Sequence, residues 1–196
     1  MATDYRDLTF AALMLAVLTA CGPGDPAPPP SVTSAVVSAE EETRVAVIKR
    51  LHATMTGLNG SDIEGVVVMT ADGDQLILAA ALDNVAPGAH AVHVHERGDC
   101  SASDGSSAGP HYSPEGFAHG AADRPGDLRH AGDFGNFMAT DFRQGKFSIA
   151  VTTDRAVSDY NGRAVIVHRD PDRGEPAATE APGDRIACGI LAPSAG

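Results

Sequence analysis

Positive charge is scarce in this chain of 196 residues. Fourteen Lys and Arg stand against 26 Asp and Glu, a formal net charge of −12. A nucleic-acid groove neutralises phosphates with Lys and Arg, so the balance argues against that class. No apolar run reaches the roughly 20 residues that a membrane-spanning helix needs. The candidate, Leu8 to Ala20, is too short. Tryptophan is absent, aromatics make up 5%, and there are only three Cys. A chain of this length buries a core without staples, and its length suits one domain plus a tail. The 21 Gly and 13 Pro show no every-third period, which excludes a collagen-like chain and points to turns and loops. Histidine, by contrast, is abundant, with eight residues.

The apolar run suits the hydrophobic region of a secretory signal. It ends in Leu18-Thr19-Ala20-Cys21-Gly22, which looks like a bacterial lipobox. In that class the chain is cut before Cys21 and the thiol is acylated. An ordinary cleaved signal is the alternative reading. Pro23, Pro26, Pro28, Pro29 and Pro30 then favour an extended, stiff spacer. The expected division is a signal over 1–20, a lipid-anchored tether over 21–49 and a folded domain over 50–196. Ser38 and Glu41 have the spacing of a capping box for a short helix through Lys49.

From residue 50 the pattern is β. Strands are expected at Leu51–Thr56, Ile63–Thr70, Gln75–Leu82, Ala89–Glu96, Asn136–Thr140, Lys146–Thr153, Ala164–His168 and Arg185–Leu191. Asn59-Gly60, Asp72-Gly73-Asp74 and Pro87-Gly88 are turn signals between them. About eight short strands indicate an antiparallel sandwich or barrel. Two long stretches, Gly98–Gly132 and Arg169–Asp184, are loops, and loops of that length inside a compact domain are usually functional.

His93 and His95 share one face of a strand, because side chains at i and i+2 point the same way, while Val92 and Val94 face the core. Alone, such a pair is weak evidence. His111, His119, His130 and Asp133 fall in the first long loop, and His168 ends a later strand. Four imidazole nitrogens suit copper. Three His and one Asp close a tetrahedral zinc site. His111 can serve both through its two ring nitrogens.

The run Gly88-Ala89-His90-Ala91-Val92-His93-Val94-His95-Glu96-Arg97-Gly98-Asp99-Cys100 strongly resembles the Cu,Zn superoxide dismutases. So do Ala108–His111, His130–Asn136, Gly162–His168 and Gly183–Gly189, in order across residues 50 to 193. The bacterial exported, lipoprotein-like type is the form it most resembles. The resemblance implies an all-β Greek-key barrel with two long functional loops. It implies copper on His93, His95, His111 and His168, and zinc on His111, His119, His130 and Asp133. Arg185 takes the place of the family's anion-guiding arginine. Asp172 matches an aspartate that hydrogen-bonds one ligand of each metal, and His90 a structural hydrogen-bonder beside the site. His52 matches nothing and reads as a solvent-facing strand residue. Cys100 and Cys188 match an intrachain disulfide, which leaves Cys21 as the acylated thiol and requires an oxidising compartment.

The implied reaction turns superoxide into O2 and H2O2 by Cu(II)/Cu(I) cycling, with His111 taking a proton when copper is reduced. Arg169, Arg173 and Arg97 are candidates to steer the anion alongside Arg185. The loop between His168 and Arg185 is shorter than in eukaryotic members, and the His119 to His130 spacing is slightly longer. The expected partners are superoxide and a membrane reached through Cys21, with a homodimer left open. The expected location is the periplasm or cell surface, in an antioxidant role. Alternatives are a non-redox copper- and zinc-binding surface lipoprotein on the same fold, and a zinc hydrolase. For a hydrolase, the neighbouring carboxylate Glu96 has the wrong strand parity to act as base.

Overall fold

The computed structural model describes residues 49–175 and 182–193. The expected signal, Cys21, the tether to residue 48 and the short helix from Ser38 lie outside the described residues. The strands are β1 (Arg50–Gly57), β2 (Glu64–Asp72), β3 (Gln75–Asp83), β4 (Gly88–His95), β5 (Asp133–Ala139), β6 (Gln144–Thr152), β7 (Ala164–His168), β8 (Arg185–Ile190) and β9 (Ala192–Pro193). No α-helix occurs among the described residues, only 3-10 turns at Ser106–Ala108, Gly126–Leu128 and Val157–Tyr160.

Every strand pair is antiparallel, and the order is β5-β4-β7-β8-β1-β2-β3-β6, with β9 on β1. The end strands β5 and β6 are consecutive in the chain, and Thr140 N–H donates to the Gln144 carbonyl at 2.9 Å across the turn between them. The sheet therefore curls into a nearly closed eight-strand Greek-key barrel. The expected all-β barrel is the observed fold, extended by the two-residue β9.

Alternation builds one side of the barrel. In β1, Leu51, Ala53 and Met55 are buried, while Thr54 and Thr56 are exposed and His52 is half-buried. Val67 and Met69 of β2 and Leu76, Leu78 and Leu82 of β3 continue the core. Burying each such side chain contributes about 1.5–3 kcal/mol. Gly73, at φ 58°, makes the β2–β3 turn with Asp74. Glycine takes that left-handed backbone at no steric cost.

The other side is buried on both faces. Val92 and Val94 of β4 and Val165 and Val167 of β7 fill the barrel. On the outer surface, Ala164 and Ile166 join Leu58, Ala108 and Cys188 in a smaller cluster, with Cys100 packed against it. The outer face of β4 carries His93 and His95, both fully buried. What covers it is the loop 96–132. Tyr112 N–H donates to the Val94 carbonyl (2.9 Å), Val94 N–H to Gly132 (2.9 Å) and Gly132 N–H to Tyr112 (2.8 Å), so the loop adds backbone to β4. At Gly132 a Cβ would lie 2.1 Å from the Val94 carbonyl oxygen, and only glycine fits.

The Cys100–Cys188 disulfide ties the same loop to β8, with its Cα atoms 5.8 Å apart and a sequence separation of 88. Closing a loop of that length contributes about 4 kcal/mol by limiting the unfolded chain.

Candidate metal centre

Seven side chains gather under the loop in two clusters that share one residue. His93, His95, His111 and His168 form the first; His111, His119, His130 and Asp133 form the second. Within each, one donor atom per residue lies within 4.8 Å of every other, and all seven residues are buried. The structure corrects the linear picture at Asp133 and adds to it at His111. Asp133 is not a loop residue but the first residue of β5, paired with His93 of β4. His111 is held against β4 by an isolated bridge to His95, so the shared residue is fixed by backbone.

Hydrogen bonds set which ring nitrogen is left bare. His95 Nδ1 lies 2.8 Å from the Gly109 carbonyl, which can only accept, so Nδ1 carries the hydrogen, and Nε2 faces His168 Nε2 at 3.4 Å. Asp172 acts likewise on two rings: its Oδ2 takes His93 Nε2 at 2.9 Å and its Oδ1 takes His119 Nε2 at 2.8 Å. Their Nδ1 atoms are thereby buried and turned away from Asp172; that of His93 has no hydrogen-bond partner, and that of His119 faces Asp133. His111 Nε2 and His168 Nδ1 are also buried without a hydrogen-bond partner, and His130 Nδ1 faces Asp133. Such buried orphans cost about 1–3 kcal/mol each unless something fills the space between them.

Asp133 is the hub of the second cluster. Its Oδ2 accepts the backbone N–H groups of Gly120 (3.0 Å) and His130 (2.9 Å). That aims Oδ1 at three ring nitrogens, Nδ1 of His111, His119 and His130, at 2.9, 3.0 and 3.3 Å. Ligands about 2.0–2.1 Å from a tetrahedral zinc ion stand about 3.3 Å from one another. The second cluster therefore fits a closed zinc site in donor type, number and spacing. The first, four buried imidazoles, fits copper in donor type and number.

Burial explains the protonation of the first cluster. It drives His95 down to about 2 and His111 to about 4, with neighbouring imidazoles adding to the effect, and pushes His168 well below its ordinary range. Lowered histidines are bare-nitrogen ligands at neutral pH. His119 moves the other way, to about 10, because Asp133 first and Asp172 second hydrogen-bond its protonated ring. Burial opposes ionisation of both carboxylates. The imidazole hydrogen bonds outweigh it and hold Asp133 and Asp172 below the usual carboxylate range.

Arg185, on β8, donates from Nη1 to Gly105 (2.6 Å) and from Nη2 to Gly109 (2.8 Å). The Gly109 carbonyl thus serves both Arg185 and His95, which places the guanidinium beside the first cluster. Arg97 donates to the Ser107 carbonyl at 2.9 Å, and Arg173 is exposed. Arg169 is paired with Asp184, which offsets the steering charge expected of it. His90 packs beneath: its Nδ1 lies 3.1 Å from the His168 carbonyl and its Nε2 2.7 Å from that of Ala86.

Sequence reasoning missed Arg129. Its guanidinium, 1% exposed, donates to the carbonyls of Arg124, His130, Asp133 and Thr152. The signal available was weak, because an arginine beside a histidine reads as a surface charge until its neighbours are known.

A family model for copper/zinc superoxide dismutase matches residues 63–191. Superoxide dismutase [Cu-Zn] 2 of Brassica juncea is 37% identical over 149 residues, 68% of this chain and 93% of that protein. The copper chaperone for superoxide dismutase of Rattus norvegicus is 35% identical over 158 residues, 76% of this chain. The match spans only 56% of that chaperone. A crystal structure of the clock protein EA4 superposes with a TM-score of 0.65 at 26% identity, covering 74% of this chain and 95% of that one. With this fold, these clusters and these matches, the chain belongs to the copper/zinc superoxide dismutase family.

Proposed function

We propose that the protein is a superoxide dismutase: two superoxide anions and two protons yield one O2 and one H2O2. The observation that carries this reading is His111, whose two ring nitrogens are buried and reach into different clusters. His93, His95, His111 and His168 would hold copper; His111, His119, His130 and Asp133 would hold zinc. Bound copper would supply one-electron exchange in both directions, which zinc lacks.

The chain's own residues do the rest. Arg185 binds the anion through a guanidinium that stays ionised and is already oriented by two carbonyls. His111 would offer Nε2 to copper and could pass a proton there to the peroxide product, while Asp133 keeps its Nδ1 side in place. Asp172 orients His93 and His119. A positive arginine beside the site attracts superoxide locally, and salt screens the overall negative charge beyond about 8 Å.

The test is superoxide consumption by the full chain loaded with copper and zinc, beside metal-free protein and Arg185→Ala. Fast copper-dependent consumption that falls in the variant supports the enzyme. Consumption no faster than free copper ions leaves a non-redox copper- and zinc-binding protein. The similarity to a copper chaperone is the observation that favours this second reading. Transfer of copper to an acceptor without turnover would establish it.

The lipid anchor at Cys21, the periplasmic or surface location and the domain division remain proposals from the amino-terminal sequence. The mass of the mature amino terminus tests them.

A further inference from the structure

Asp172 links the clusters, yet it stands in the loop after β7, where its own surroundings supply little to hold it. Pro171 and Arg173 on either side are exposed. Among the described residues nearby, Gly174 N–H donates to Asp172 Oδ1 at 2.7 Å, and Ala91 N–H holds the Asp170 carbonyl at 3.1 Å.

The stronger restraint comes from 36 residues away. Asn136 on β5 donates from Nδ2 to the Asp172 carbonyl at 2.7 Å. Its Oδ1 accepts the Asp172 backbone N–H at 2.6 Å. One side-chain amide thus satisfies both backbone groups of one residue, as a neighbouring peptide would in a sheet. Only Asn and Gln offer a donor and an acceptor together in this way. The amide orientation is settled as well, since a flipped ring of contacts would set oxygen against carbonyl and N–H against N–H. Asn136 lies three residues after Asp133 on the same strand, so the clamp ties Asp172 to the strand bearing the hub of the second cluster.

We infer that Asn136 is a positioning residue for both metal clusters, acting through the backbone of Asp172. This rests on the reading of the clusters as copper and zinc sites. The chain of contacts is short: Asn136 holds the Asp172 backbone, the Asp172 carboxylate holds His93 Nε2 and His119 Nε2, and those bonds leave each Nδ1 bare toward its cluster. Partners in the layer behind metal ligands set ring orientation, and their loss costs about 10–100-fold in affinity. Asn136 stands one layer further out, so about tenfold is expected.

The experiment uses the full chain with zinc and copper titrated against a competing chelator, and Co(II) as a spectroscopic probe of the second cluster. The variants are Asn136→Ala, Asn136→Asp, Asp172→Ala and the double variant Asn136→Ala with Asp172→Ala. Asn136→Ala is expected to weaken zinc about tenfold and to broaden the Co(II) d–d bands. Asn136→Asp keeps the acceptor but sets a carboxylate oxygen against the Asp172 carbonyl, so it should weaken zinc at least as much as Asn136→Ala.

In the Asp172→Ala background the Asn136 change should do nothing further to metal affinity, because the two act in series. Asn136 is exposed, so the metal-free variants should unfold close to wild type. Unchanged zinc affinity and Co(II) spectrum in Asn136→Ala would overturn the inference, as would additive losses in the double variant. Failure of the wild-type chain to bind zinc or copper would instead overturn the reading of the clusters, a distinct result.

Discussion

Three of the four imidazoles in the first cluster come from strands: His93 and His95 from β4 and His168 from β7. The second cluster takes His119 and His130 from the long loop and only Asp133 from a strand. A strand residue is held by ladder hydrogen bonds on both sides, so its side chain starts from a fixed place. A loop residue needs purpose-built restraints. The structure supplies them as Arg129 on four carbonyls, Gly120 N–H on Asp133, and Asp172 on His119. The strand-held cluster is therefore preorganised by the barrel, whereas the loop-held one depends on polar contacts outside it. Metal binding to such a loop also contributes folding energy, because the ordered site does not exist in the unfolded chain.

The largest way to break this contrast is to free the loop. Replacing Cys100 and Cys188 by Ser should cost about 4 kcal/mol of stability, measured by denaturant unfolding of the metal-free chain. Zinc retention should fall more than copper retention, because the bond anchors the loop. Equal losses would mean that the loop is not the weaker support.

Next in size, Asp133→Ala removes the hub. Zinc affinity should drop by more than the roughly 100-fold that loss of an outer partner costs, while the strand-held imidazoles still bind copper. Metal analysis after dialysis against a chelator reads both. Loss of copper to the same degree would show that the clusters form one unit rather than two.

Arg185→Ala should lower superoxide consumption about tenfold to hundredfold, the effect of hydrogen bonds to a charged group worth about 1.5–3 kcal/mol. Copper content should stay constant, since Arg185 holds no ligand ring directly. A fall in copper content instead would assign Arg185 to the support of His95 through Gly109.

The smallest effect separates the clusters by pH in the metal-free chain. His95, His111 and His168 are lowered when folded, so below their unfolded value near 6.5 the unfolded chain binds protons first. Stability is then lost as pH falls from about 6.5 toward 4, where His111 titrates. His119 is raised to about 10, so its contribution is present below about 6.5 and is lost as pH rises toward 10. Unfolding across pH should show two opposed limbs, with His119→Gln flattening the alkaline one and also altering the acid one, because His119 helps to lower His111, Asp133 and Asp172. An alkaline limb that survives unchanged in that variant would refute the assignment to His119.

Much of this architecture could be read in the linear chain. Alternation in Leu51, Ala53 and Met55 marked β1, and the spacing of His93 and His95 put both on one face of β4. Such signals are local, because strand parity follows from the backbone alone. β5 was legible only from Asn136, since the three residues before it begin with an aspartate and include a glycine, both poor strand formers. They enter the strand because Asp133 pairs with His93 across the sheet, which no local pattern records.

The amino-acid sequence by itself determined the barrel strands, the histidine pair on one strand face and the family, since each rests on periodicity or on motifs in order. Only the tertiary structure decided that His111 is bridged to β4, that Arg169 pairs with Asp184, and that Arg129 and Asn136 support the clusters. Those depend on hydrogen bonds between segments far apart in the chain. A donor's partner is fixed by where the fold brings a carbonyl or a carboxylate, not by the residues beside it.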